Sequence, residues 1–170
     1  LVARIALKVY YKNLVIKGLE RFPRQGPLIV VANHPNTFMD PIIIGVITRQ
    51  PVYFLAKASV FGSPVRDWVF SSLLHMIPVY RQEDAKPGQV VDNSAIFRKC
   101  FDFLSQKGTL LIFPEGTSIM ERRLQKIKTG TARIALGAEK EQGYQLGVQI
   151  VTIGLNYSGD GNFRESVTVN

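Results

Sequence analysis

One of the chain's two histidines stands in an apolar stretch that carries a single acidic residue. His34 and Asp40 lie in VVANHPNTFMDPIII, residues 30–44. An aspartate that accepts a proton from one imidazole nitrogen leaves the other nitrogen able to act as a general base. Because no serine or cysteine lies in this stretch, such a base would deprotonate a substrate hydroxyl. A buried histidine that packs in the core and an aspartate that caps a helix explain the same two residues equally well.

A second candidate group is the guanidinium of Arg81, which follows the apolar run IPVY. An arginine at the end of a strand can hold a phosphate through two parallel hydrogen bonds. An ordinary surface charge at the end of a strand is the alternative.

The third candidate segment is FPEGTS, residues 113–118, which follows another apolar run. Gly116 lets a ligand approach the backbone, and Thr117 and Ser118 supply hydroxyl donors beside the acidic Glu115. Basic residues follow within reach of the same turn and indicate an anion site: Arg122, Arg123, Lys126 and Lys128.

The hydrophobic pattern places these segments at the ends of predicted strands. Strands alternate with helices, so we expect an α/β fold with a mixed, largely buried sheet flanked by helices. Open α/β sheets bind ligands at the carboxyl ends of their strands, where the three segments fall. The predicted strands cover residues 14–19, 28–32, 52–56, 77–80, 109–113, 147–157 and 166–169, and the predicted helices cover 1–12, 38–49, 64–75, 94–107 and 131–140.

Length and composition predict one domain, residues 1–170, with 46% hydrophobic residues to fill its core. The chain begins at Leu1 rather than Met and stops in a predicted strand, so we interpret it as part of a longer protein. Its single cysteine, Cys100, excludes an internal disulfide and a multi-cysteine zinc site, and its helical spacing predicts a place in the core. We predict no metal site.

The formal net charge of +8 implies anionic partners. Residues 1–12 combine a stripe of Arg4, Lys8 and Lys12 with a wide apolar face, which is typical of a helix lying in a membrane interface. A surface helix packed on its own domain has the same pattern. Nucleic acid is the weaker choice of partner, because the basic residues belong to no recognisable motif. No stretch predicts a membrane-spanning helix.

Taken in order, NHPNTFMD, IPVYR and FPEGTS resemble the glycerolipid acyltransferases of phospholipid biosynthesis, over residues 14–157. The resemblance implies a membrane-associated α/β enzyme with no resident cofactor, and the single cysteine fits a reducing compartment or a cytoplasmic face. The enzyme would move a fatty acyl group from a coenzyme A or acyl carrier protein thioester to glycerol 3-phosphate or 1-acylglycerol 3-phosphate. It also implies roles for individual residues: His34 as general base, Asp40 as its partner, and Arg81, Glu115, Gly116, Thr117 and Ser118 as the acceptor phosphate site.

The sequence departs from the common family pattern at several positions. Five residues separate His34 from Asp40 where four are usual, a spacing that resembles fungal glycerol-3-phosphate acyltransferases. Ser118 replaces a phosphate-binding arginine, whose role would pass to Arg122, Arg123 or Lys128. The proline of the fourth family motif is missing near Val151. Lys57 matches a basic family position and would contact a donor phosphate or form a salt bridge.

Two alternatives stay open at this point. A phospholipid–lysophospholipid transacylase would use the same His34–Asp40 pair without consuming a thioester. A non-catalytic basic module that binds anionic lipid or nucleic acid explains the charge, but it leaves the order of the three motifs unexplained.

Overall fold

The computed structural model describes residues 2–48, 51–73, 75–80, 90–119, 121, 123–159 and 162–170. Strands and helices alternate through most of the chain, as the hydrophobic pattern predicts. In chain order the elements are α1 (Val2–Tyr10), β1 (Asn13–Ile16), β2 (Leu28–Ala32), α2 (Met39–Ile47), β3 (Val52–Lys57), α3 (Pro64–Trp68), β4 (Met76–Val79), α4 (Ser94–Ser105), β5 (Thr109–Ile112), α5 (Gly130–Glu141), β6 (Gln149–Ile153), β7 (Leu155–Tyr157) and β8 (Ser166–Val169).

The main sheet has the strand order β4-β3-β5-β2-β6, and every neighbouring pair in it is parallel. A helix connects each strand to the next, and such crossovers are right-handed in nearly all proteins. The chain moves in one direction along the sheet through α2 and α3 and in the other through α4 and α5. These two helix pairs therefore cover opposite faces. The predicted α/β class is confirmed, and the mixed pairing is confined to a second, smaller sheet.

The hydrophobic core lies on both faces of the main sheet because the side chains of its central strands alternate. Leu28 and Val30 of β2 pack with Ile43 and Ile44 of α2 on one face. Ile29 packs on the other face, against the buried residues of α4 and α5, which include Cys100, Leu104 and Ile134. Strands buried on both faces are typical of parallel sheets.

The smaller sheet has the order β1-β8-β7, with β1 parallel to β8 and β7 antiparallel to it. The prediction of one strand over 147–157 is wrong, because the chain changes sheets at Gly154. The backbone of Gly154 pairs with Asn170 at 2.9 and 3.0 Å, and the Leu155 N–H donates to the side chain of Asn33 at 2.7 Å. These partners hold residue 154 away from the continuation of β6.

Helix α1 packs on α2 and on the small sheet. Leu7 and Tyr11 are buried in the same core cluster as α2, and the Arg4 guanidinium donates to the Val46 carbonyl at 3.3 Å. Ile5 and Val9 remain 55% and 58% exposed. Within the described ranges, no helix has both the length and the apolar character that crossing a bilayer requires.

Three predicted boundaries are wrong for local reasons. The strand expected over 14–19 ends at Ile16, because Gly18 has a φ of 76° and begins a turn. The helix expected over 64–75 is α-helical only as far as Trp68 and continues as one π-helical segment, Val69–Leu73. The helix expected over 94–107 ends at Ser105, because Lys107 has a φ of 63°, which does not continue a right-handed helix.

Candidate active site

His34 and Asp40 are in direct contact. His34 lies in the loop after β2 and Asp40 in the first turn of α2, and the imidazole Nδ1 is 2.9 Å from the carboxylate Oδ2. An ionised carboxylate can only accept, so Nδ1 carries the proton and Nε2 keeps its lone pair. The His34 side chain is 14% exposed and Asp40 is fully buried. The pair therefore presents one basic imidazole nitrogen, Nε2, and its carboxylate partner is shielded from water.

Asn36 explains how the loop accommodates the additional residue between His34 and Asp40. Its backbone N–H donates to Asp40 Oδ2 at 2.7 Å, and its side-chain Oδ1 accepts from the backbone N–H groups of Phe38 and Met39 at 3.2 and 3.1 Å. Asn36 therefore satisfies the first N–H groups of α2, which is the role of a helix cap. Asn36 therefore takes the capping role that was the alternative for Asp40, and the Asp40 carboxylate binds His34.

Tyr157 of β7 holds the other oxygen of Asp40. Its hydroxyl donates to Asp40 Oδ1 at 2.5 Å. Burial and the neighbouring carboxylate raise the pKa of Tyr157 far above its ordinary value, so the phenol stays protonated. Asn33 fixes the start of β7, because its side chain also donates to the Leu155 carbonyl at 2.9 Å.

The loop after β5 packs directly against His34. The Phe113 ring stacks on the imidazole with centroids 3.8 Å apart and an angle of 12° between the planes. The Ile119 N–H donates to the His34 carbonyl at 3.2 Å. The first and third sequence motifs therefore form one site, as expected for neighbouring parallel strands.

Within this loop the FPEGTS residues occupy different environments. Glu115 is 5% exposed, and its Oε2 accepts from the Gln125 N–H at 3.3 Å. Gly116 has a φ of 70°, and the Lys128 side chain passes so close that a Cβ there would lie 3.0 Å from the ammonium nitrogen. Thr117 is exposed and Ser118 is half-buried.

A cavity of about 850 Å³ opens at this edge of the sheet. The end of β2, the loop after β5 and the chain from β6 through Gly159 line it, and three charged side chains join His34 there: Glu115, Glu121 and Arg123. Arg123 Nε donates to Glu121 Oε2 at 2.6 Å, and hydrogen bonds from Arg123 and Gln125 lower the pKa of Glu121. The cavity therefore holds a basic nitrogen and a cation in one space.

The other predicted site residues lie elsewhere. Lys57 is half-buried at the end of β3, Lys126 is exposed, and Lys128 covers Gly116. None of these three lysines lines the cavity. Arg81 and Arg122 fall outside the described residues. Across the part of the chain that the structure describes, no three acidic, histidine or cysteine side chains cluster as metal ligands would.

No individual role was predicted for Asn33, Asn36, Phe113 or Tyr157, although the first three lie within the first and third motifs. Asn33 and Asn36 flank His34 in the sequence, and polar residues in an otherwise apolar stretch were a usable signal for them. Tyr157 contacts a residue 117 positions away, and no local pattern indicates that contact.

Comparison with known proteins gives a matched region that contains His34, Asp40 and Glu115. The family model described as Acyltransferase matches residues 13–156. The chain is 30% identical over 158 residues to the chloroplastic 1-acyl-sn-glycerol-3-phosphate acyltransferase BAT2 of Brassica napus, covering 92% of this chain and 41% of the relative. It is 34% identical, over a 244-residue alignment, to glycerol-3-phosphate O-acyltransferase 1 of Saccharomyces cerevisiae, covering 94% of this chain and 32% of the relative. The chain thus spans less than half the length of these relatives.

A crystal structure has the same fold. The 1-acyl-sn-glycerophosphate acyltransferase PlsC of Thermotoga maritima superposes with a TM-score of 0.62 at 19% identity, covering 99% of this chain and 64% of that one. The family model matches well over half of the sequence and includes His34, Asp40 and Glu115. The chain therefore belongs to the Acyltransferase family.

Proposed function

We propose that this chain carries the catalytic site of a membrane-associated glycerolipid O-acyltransferase. The acyl donor would be a coenzyme A or acyl carrier protein thioester, and the acceptor glycerol 3-phosphate or 1-acylglycerol 3-phosphate. The His34–Asp40 contact beside a cavity with a cationic side chain is the observation that carries the proposal. The names of the relatives, which act on glycerol 3-phosphate and its 1-acyl derivative, support the acceptor.

The proposed reaction uses His34 first as a base and then as an acid. Nε2 takes the proton of the acceptor hydroxyl while the oxygen attacks the thioester carbonyl. The tetrahedral intermediate collapses, the C–S bond breaks, and the imidazolium returns its proton to the leaving thiolate. Asp40 stabilises the imidazolium between these steps. A thioester is already reactive, so no acyl-enzyme and no resident cofactor are required, and alignment of the two substrates supplies much of the acceleration.

Arg123 is the described cation best placed to bind the acceptor phosphate. It lines the cavity with His34, and its partner Glu121 is 43% exposed. A phosphate that binds Arg123 would compete with the Glu121 carboxylate. A guanidinium can bind a phosphate dianion through two parallel hydrogen bonds, which favours the phosphate in this competition. Arg123 would then supply the contact that the family's arginine makes at the position of Ser118.

The direct test measures thiol release by the purified chain from an acyl thioester, with glycerol 3-phosphate and 1-acylglycerol 3-phosphate offered separately. We expect His34→Ala to lower the rate by about 10²- to 10⁴-fold, the usual contribution of a general base. The matched control is His75→Asn. His75 lies at the start of β4, at the opposite edge of the sheet, and asparagine tolerates its φ of 53°. Full activity of a folded His34→Ala variant would refute the mechanism.

The same assay separates the alternatives. A transacylase would acylate a lysophospholipid from a phospholipid donor without releasing thiol. A basic module without catalysis would leave all acceptors unchanged while it binds anionic vesicles or nucleic acid, with affinity that falls steeply as salt rises.

A further inference from the structure

We propose that Tyr157 is a positioning residue for the His34–Asp40 pair. Its hydroxyl holds the Asp40 oxygen that His34 does not use, so that the carboxylate remains ionised and oriented toward the imidazole. This role rests on the proposed acyl transfer, and it assigns a catalytic purpose to a strand of the smaller sheet.

Three donors surround the Asp40 carboxylate. His34 Nδ1 and the Asn36 N–H bind Oδ2 at 2.9 and 2.7 Å, and the Tyr157 hydroxyl binds Oδ1 at 2.5 Å. Asp40 is fully buried, so water does not solvate Oδ1. A buried carboxylate without donors favours its neutral form, and a neutral carboxyl group would support the imidazolium poorly.

These donors also restrain rotation of the Asp40 carboxylate. The terminal torsion of an aspartate is broad and is poorly restrained by the side chain itself. Two donors on Oδ2 fix one oxygen, and Tyr157 fixes the other from a different segment. Loss of that contact would let the carboxylate turn and lengthen its bond to His34.

Tyr157 is itself held in place by its neighbours. Its backbone pairs with Val167 of β8, and Asn33 anchors the beginning of β7 through two hydrogen bonds. The Tyr11 ring, 1% exposed, lies 6.1 Å from the Tyr157 ring on the side of α1. The titratable groups that face the Tyr157 hydroxyl are therefore Asp40 and Tyr11.

Tyr157 is suited to donation and unsuited to proton transfer. Burial and Asp40 keep its pKa far above the working range of an enzyme, and Tyr11, whose own pKa burial raises to about 12, is equally protonated. Both phenols are thus neutral whenever His34 can act as a base. The role of Tyr157 is to orient Asp40, and the catalytic proton stays on His34 and the substrates.

The test is a cycle of Tyr157→Phe, Asp40→Asn and the double variant, with thiol release and thermal unfolding measured for each. Phenylalanine keeps the ring and removes one hydrogen bond to a charged group, so we expect kcat to fall by about 10- to 100-fold. KM for donor and acceptor should change by less than about twofold. In the Asp40→Asn background, adding Tyr157→Phe should lower kcat further by less than about twofold. Tyr144→Phe, at a tyrosine that is 69% exposed, is the control.

Several outcomes would overturn the role. These are a kcat of Tyr157→Phe within twofold of wild type, an effect on KM alone, or an equal loss of kcat in the Asp40→Asn background. If Tyr157→Phe does not fold, the double variant should fold, because asparagine removes the buried charge whose Oδ1 has lost its donor in the single variant. A double variant that also fails to fold would overturn the proposal.

Failure of the proposed function has a different signature. Folded wild-type protein would then release no thiol with either acceptor. The unfolding temperatures would still test the contact, because Tyr157→Phe should lower them in the wild-type background and not in Asp40→Asn.

Discussion

At the scale of single residues, the two buried carboxylates of the site differ in how they are held. Asp40 receives hydrogen bonds from three residues in two segments of the chain. The described contact of Glu115 is one backbone N–H, that of Gln125. Three donors fix the orientation of Asp40, which the proposed reaction requires. Glu115 is therefore the carboxylate better able to change partners when a ligand enters the cavity.

The backbone conformation at Gly116 favours glycine over residues that carry a Cβ atom. Its φ of 70° costs an L-residue about 1–2 kcal/mol, and a Cβ would meet Lys128 at 3.0–3.1 Å. We expect Gly116→Ala to lower the free energy of unfolding by about that amount in urea titrations. Gly45→Ala in α2, where a Cβ meets nothing within 4 Å, should instead raise it by about 0.5–1 kcal/mol. Equal effects of the two substitutions would contradict this account.

The single cysteine gives a prediction about chemical reactivity. Cys100 is fully buried in α4, and desolvation raises the pKa of its thiol to about 12. The thiolate is the reactive form, so the folded protein should react negligibly with a disulfide reagent at pH 8 and release one equivalent of thiol once denatured. Fast labelling of the native protein would show that Cys100 is accessible. Because Cys100 should not react in the folded protein, it should add little background signal to a thiol-release assay.

At the scale of elements, the start of β7 depends on a side chain from the other sheet. Asn33 binds both backbone groups of Leu155, accepting from its N–H at 2.7 Å and donating to its carbonyl at 2.9 Å. Leu155 is 2% exposed, so its backbone groups have little access to water. Asn33 therefore links the end of β2 to the strand that carries Tyr157.

We expect Asn33→Ala to destabilise the protein by about 2–4 kcal/mol, because it removes two hydrogen bonds and leaves buried backbone groups unpaired. Asn13→Ala, which removes an exposed contact to Ser166, should stay within about 0.5 kcal/mol of wild type. Chemical denaturation of both variants measures the difference. The prediction fails if the two variants unfold at the same denaturant concentration.

The elements differ in how well sequence predicts them. Strand β2 was predicted with its observed ends and β5 with one residue too many, because each is a buried apolar run bounded by turns. The predicted contact of His34 with Asp40 is present, because both residues lie in one short loop and helix start. The division of β6 from β7 was not predicted, because it depends on Asn33, 122 residues away. Tyr157 was missed for the same reason.

At the scale of the whole molecule, helices α1 and α3 both expose large apolar side chains. Ile5 and Val9 of α1 and Val65 and Trp68 of α3 are 55%, 58%, 75% and 64% exposed. Basic side chains accompany them, including the exposed Arg4, Lys8 and Arg66. A surface of this kind suits the interface of an anionic membrane, and the membrane contact that we propose would use these two helices.

We expect Trp68→Ser to weaken binding to vesicles containing anionic phospholipid by about tenfold, because burial of a large apolar side chain is worth about 1.5–3 kcal/mol. Leu136→Ser is the control, because Leu136 is equally exposed, at 65%, in α5, on the face of the main sheet opposite α3. Co-sedimentation at two salt concentrations measures both variants. Equal binding by the two would place the membrane contact elsewhere.

The parallel pairing of β1 with β8 has a consequence for the order in which the molecule folds. The pair joins Asn13 to Ser166, 153 residues apart, so its formation closes nearly the entire chain into one loop. Contacts of such long range form slowly, because the entropy of loop closure is lost before the contact stabilises the fold. Strand β7 is paired only with β8 in this sheet, so Tyr157 gains its final position after β8 has docked. The main sheet can assemble from nearer neighbours. The proposed acyl-transfer activity should therefore return last on refolding, after most of the helical and strand structure has formed.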